Sequence, residues 1–119
     1  MLQWNKASIA PRVRALIDRE EAGDVEAAAH RIGIPSEELA GAESVLAADS
    51  RYPAARLLAA LVRAYHADAC WLITGQEQIP AADLSPESRL EVANLLLDVA
   101  NELLAERARL REARVATLS

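Results

Sequence analysis

Ile9, Val13, Leu16 and Ile17 recur at steps of three and four, which places them on one face of a helix from about Ser8 to Glu21. Ser8 is the expected cap, and Pro11 is tolerated in the first turn. Gly23 breaks this pattern, and Asp24 is placed to cap a second helix over Val25 to Ile32, with Val25, Ala28, Ala29 and Ile32 inward. Gly33 turns the chain, Ile34 fills the space beneath the turn, and Ser36 is expected to cap a third helix over Glu37 to about Leu46. The segment Asp49-Ser50-Arg51-Tyr52-Pro53 reads as a loop. A fourth helix is predicted over Ala54 to Tyr65, and a short fifth over Ala69 to Thr74, stopped by Gly75. Residues 76–84, with Pro80, read as a linker. Ser85-Pro86 then opens a long final helix, reaching about Val115, with serine as cap and proline in the first turn. No segment alternates as a strand would, so the predicted class is all-α: five helices within residues 9–75 and one long helix within residues 85–116.

That last helix carries two apolar stripes. Leu90, Ala93, Leu97, Ala100 and Leu104 form one; Val92, Leu96, Val99, Leu103 and Leu110 form the other. A surface helix packed on one body needs a single stripe. One stripe is therefore expected to cover residues 9–75. The bulkier one, Val92, Leu96, Val99, Leu103 and Leu110, is expected to meet a second copy in a homodimer.

Composition narrows the class further. The 119 residues carry a net charge of −5, which is not the balance of a broadly cationic binder of nucleic acid or membrane. Of 13 basic residues only Lys6 is a lysine; the rest are arginines, suited to directed contacts. Cys70 has no second cysteine to pair with. No apolar run approaches membrane length, and Met1 to Lys6 lacks a signal-peptide plan, so a soluble cytoplasmic protein is expected. His30, His66 and Cys70 are not spaced as metal ligands. Glu20-Glu21 and Glu37-Glu38 read as solvated helix faces, and no glycine-rich phosphate loop exists. Neither an enzyme site, a metal nor a cofactor is predicted.

Two stretches point to a function. Asp24 through Glu43 has the layout of a helix, a tight turn at Gly33 and a second helix, with Ala28 small enough for a close crossing and Leu39 and Ala42 turned inward. Tyr65-His66-Ala67-Asp68-Ala69-Cys70-Trp71-Leu72-Ile73-Thr74-Gly75 ends the unit with a Trp-Leu-x-x-Gly pattern. Together with Ile9 to Leu16 as a first helix and Glu43 after an apolar residue, residues 9–75 resemble the repressor-type (Cro- and XRE-like) helix-turn-helix family of phage and bacterial regulators. The resemblance implies a dimeric transcription regulator on double-stranded operator DNA. It places Ser36, Glu37, Glu38 and Ser44 nearest the bases and Arg14, Arg51 and Arg56 on phosphates, while Arg12 is expected to pair with an acid at the core rim. The family pattern is departed from in three places: Val25 stands where a polar residue usually opens the second helix, Glu37 and Glu38 are acidic, and the turn after the third helix is longer. These departures motivate a rival expectation: an adaptor, antirepressor or antitoxin-like module that keeps the scaffold and binds another regulatory protein.

Overall fold

The computed structural model describes residues 6–47, 52–75 and 85–118, all in helices and short turns with no strand among them. A single 3-10 turn at Lys6–Ser8 leads directly into α1, Ile9–Glu21. That turn gives Ser8 a helical backbone, so its hydroxyl makes no capping bond; it accepts instead from the Arg12 guanidinium at 3.3 Å. The second helix, α2, covers Val25–Ile32 as its spacing predicts, and the Asp24 carboxylate accepts from the Ala27 amide at 3.0 Å.

The predicted third helix is two short ones: α3, Ser36–Ala40, and α4, Ala42–Ala47. Gly41 sits between them at φ −95°, ψ 33°, outside helical geometry. A glycine inside a helix costs about 1 kcal/mol relative to alanine, and here the chain spends that tolerance on a corner. α5 spans Tyr52–Tyr65, two residues earlier than its apolar pattern predicts, because Pro53 is compatible with a first turn. α6, Ala69–Thr74, begins at Asp68, whose carboxylate accepts from the Cys70 and Trp71 amides at 2.8 and 3.3 Å. The long α7 covers Pro86–Leu118, with Ser85 Oγ accepting from the Ser88 amide at its start.

One core unites these elements. Leu16 of α1, Ile32 of α2, Leu46 of α4, Leu57, Leu58 and Leu61 of α5, and Leu72 and Ile73 of α6 are all buried in one cluster. Val92, Leu95 and Val99 of α7 belong to that same cluster, with Leu96 and Leu103 packed at its edge. This reverses the expected use of the final helix. Val92, Leu96, Val99 and Leu103, assigned from the sequence to a partner copy, pack against the chain's own core, while Leu110 lies beyond it, exposed. The stripe expected to face the core, Leu90, Leu97 and Leu104, is turned to solvent. The physical reason lies outside α7: the buried leucines of α5, Leu57, Leu58 and Leu61, form the apolar surface on which Val92, Leu95 and Val99 come to rest.

Candidate functional site

The α2–α3 pair is built from short-range rules. Asp24 caps its start, and Gly33 ends α2 at φ 76°, a left-handed conformation in which its amide donates to the Ala29 carbonyl at 2.9 Å. The Ile34 amide donates to the same carbonyl at 3.1 Å, while the Ile34 side chain is buried beneath the turn. The Pro35 carbonyl then accepts from the amides of Glu38 and Leu39, which starts α3. Ala28 of α2 is fully buried, and Leu39 of α3 and Ala42 of α4 nearly so; the small Ala28 side chain lets α2 and α3 lie close. Two helices therefore meet at the Gly33 turn, the second of them only five residues long where one helix to about Leu46 was expected.

The exposed side of α3 and α4 carries Glu37, Ala40, Glu43 and Ser44, with Ser36 and Glu38 partly covered. Two cations among the described residues flank it. Arg56, from α5, donates through one guanidinium nitrogen to both Glu38 carboxylate oxygens, at 2.9 and 2.6 Å. Arg14, from α1, pairs with Glu43. Of the residues predicted to meet DNA, Arg14, Glu38 and Arg56 are thus joined in intramolecular pairs. Ser44 and Glu37 stand exposed beside them, and Glu37 has no cationic partner among the described residues. Arg51 lies outside the described residues. The two ion pairs span 18 and 29 residues of sequence, so no local spacing announces them; only the fold brings the partners together.

Several other arginines among the described residues are also engaged. Arg31 pairs with Glu21, and Arg19 with Glu20. Arg63 donates to the Ile32 carbonyl at 3.2 Å and pairs with Glu106 of α7 at the same distance, tying the end of α2 to the long helix. Arg12 does not meet an acid, contrary to expectation. Its guanidinium donates to the carbonyls of Leu72 and Ile73 at 2.8 and 2.6 Å, so a cation caps the negative end of α6. Burial lowers its pKa from the usual arginine value.

Behind the turn lies an open cleft of about 410 Å³, lined by Ile34, Pro35, Arg63, Leu103 and Glu106 among others. Both charge signs line it, and Glu106 pairs there with Arg63 and Arg109. Hydrogen bonding from Arg109, reinforced by the charge of Arg63, holds the Glu106 carboxyl below the usual range. Burial, with Asp68 nearby, pushes the Cys70 thiol up, which keeps it protonated. Among the described residues no three His, Cys, Asp or Glu side chains gather as a metal site, and no helix is long and apolar enough to cross a membrane.

No protein-family description, no curated protein and no solved structure matches the chain.

Proposed function

We propose that this chain is a regulatory module built on a helix-turn-helix scaffold, that two copies act together, and that its α2–α3 unit docks on a basic protein surface rather than reading DNA. One observation carries the reading: the described cations flanking α3, Arg14 and Arg56, are each paired with a carboxylate on the same face. Specific DNA binders take most of their affinity from several phosphate contacts, each made by a cation that releases counterions. Here the described cations of that face are already engaged, and Glu37, with no cationic partner among the described residues, adds a charge of the same sign as phosphate. A face of that sign suits a cationic protein surface, such as one that itself grips DNA.

A second reading, a DNA-binding transcription regulator, is favoured by one specific observation. The two ion pairs are solvent-exposed, with Arg14 60% and Arg56 46% exposed at the side chain. Such pairs are worth about 0–1 kcal/mol, so a phosphate can compete for these arginines.

Affinity capture separates the two. The tagged chain is incubated with lysate of the organism that encodes it, with and without nuclease, beside a Glu37→Arg variant. The protein-docking reading expects partners that survive nuclease and are lost in the variant. Partners that disappear on nuclease treatment, with duplex DNA recovered from the untreated sample, would establish the DNA reading instead.

A further inference from the structure

The exposed side of α7 has a pattern of its own. Leu90, Leu97 and Leu104 follow one another at seven-residue intervals and stay 63%, 59% and 61% exposed, on the side of the helix away from Val92 and Val99. A large apolar residue every seventh position, left in water, is the signature of a seam that a second helix covers.

The positions between the leucines say which helix. With the leucines at d of the heptad, the fourth d position is Arg111; the a positions are Asn94, Asn101, Ala108 and Val115; the e positions include Glu91, Asp98 and Glu112; and the g positions are Ala93, Ala100, Arg107 and Arg114. The positions left over, b, c and f, hold Leu95, Leu96, Val92, Val99 and Leu103, the residues α7 turns to its own core. Over its first half the helix is thus divided: Val92, Leu95, Leu96, Val99 and Leu103 bind the chain's body, while Leu90, Leu97 and Leu104 face solvent.

We infer that α7 pairs with α7 of a second copy as a parallel, in-register coiled coil, through Leu90, Leu97 and Leu104 with Asn94 and Asn101 facing their own counterparts. Leucine at d with asparagine at a selects two parallel strands, since an asparagine amide in that seam finds a donor and an acceptor only opposite another asparagine. Parallel pairing also sets Arg107 at g against the partner's Glu112 at the following e position, on both sides of the seam. An antiparallel pair would instead bring the acidic flanks together, Glu91 near the partner's Glu112, and would oppose each asparagine to leucine or arginine. The charges and the amides therefore choose both the occupant and its direction.

Two further facts support the pairing. The seam from Leu90 to Val115 is about 37 Å long at 1.5 Å per residue, between three and four heptads. Its first half is already held helical by packing on the core, so association does not have to order it. The last turns, residues 107–116, are exposed on every side in a single copy, and the seam gives them something to pack on. The inference rests on the two-copy reading, not on what the α2–α3 unit recognises.

Light scattering behind size exclusion tests it on the full chain. The native protein is expected at twice its 12.9 kDa chain mass, and Leu97→Glu at the single-chain mass with an unchanged helical spectrum. A single-chain mass for the native protein at about 100 μM would overturn the two-copy reading itself. A native dimer that persists in both Leu97→Glu and Leu104→Glu would overturn this face while leaving two copies standing. Direction is read in a Cys70→Ser background: Asn94→Cys and Asn101→Cys should each cross-link to their own counterparts on mild oxidation. A dimer in which neither cross-links would overturn the parallel register.

Discussion

Arg12 shows how one side chain can hold the end of a fold. Its guanidinium reaches across some 60 residues of sequence to the carbonyls of Leu72 and Ile73, at the C-terminal end of α6 where a helix runs out of amide donors. The planar fork serves two acceptors at once, which a lysine ammonium cannot reproduce with the same geometry. Gly75 belongs to the same arrangement: it ends α6 at φ 81°, and a Cβ there would lie 3.2 Å from the guanidinium. Arg12→Ala is expected to cost about 2–3 kcal/mol, since two hydrogen bonds from a charged donor are lost. Arg12→Lys should recover only part of that loss, as measured by urea unfolding. Glu106 gives a pH signature. Arg109 and Arg63 lower its folded pKa, so its contribution is present above the unfolded carboxylate value of about 4.3 and is lost as pH falls through the folded one. Glu106→Gln is therefore expected to be less stable than the native chain at pH 7, with the gap closing below about pH 4. A gap that stays constant with pH would mean that the carboxylate charge contributes nothing.

At the scale of elements, most of the architecture follows from capping and spacing. Asp24 is the clearest case: a carboxylate before an apolar helix, accepting the amide three residues on. Asp24→Ala is expected to lower stability by about 1 kcal/mol and Asp24→Asn by less, in the same unfolding assay. Cap residue and bounds were legible there because the interactions span only three residues. α3 and α4 were legible as helix but not as two helices. Gly41 can stand in a helix interior at modest cost, and whether it bends depends on Leu39, Ala42 and Leu46 reaching the core together. α7 was legible in its extent and in having two apolar faces. Which face turned inward was not, because that choice depends on the shape of α5 rather than on any pattern within α7 itself.

The whole molecule is one body in which the long helix is both part of the core and a surface. α7 supplies Val92, Leu95 and Val99 to the cluster around Leu57 and Leu61, and through Arg63 and Glu106 it is tied to the last carbonyl of α2. A seam along its outer side would therefore set two α2–α3 units rigidly about a common axis, on opposite sides of the paired helices. The acidic character of α3 was plain in Glu37 and Glu38. The fate of the arginines was not: Arg56 reads as a phosphate contact until the fold puts Glu38 against it, and Arg14 until it meets Glu43. Those two pairs carry the functional account, and they make it vulnerable to one titration. The native chain and a Glu38→Gln, Glu43→Gln variant are titrated with a labelled duplex from upstream of the chain's own gene, by fluorescence anisotropy at about 50 and 200 mM salt, beside a scrambled duplex. The account predicts no sequence-specific binding by the native chain, and a salt-sensitive gain of affinity in the variant as Arg14 and Arg56 are released. Tight binding of the native chain to the upstream duplex over the scrambled one, surviving the higher salt, would contradict it.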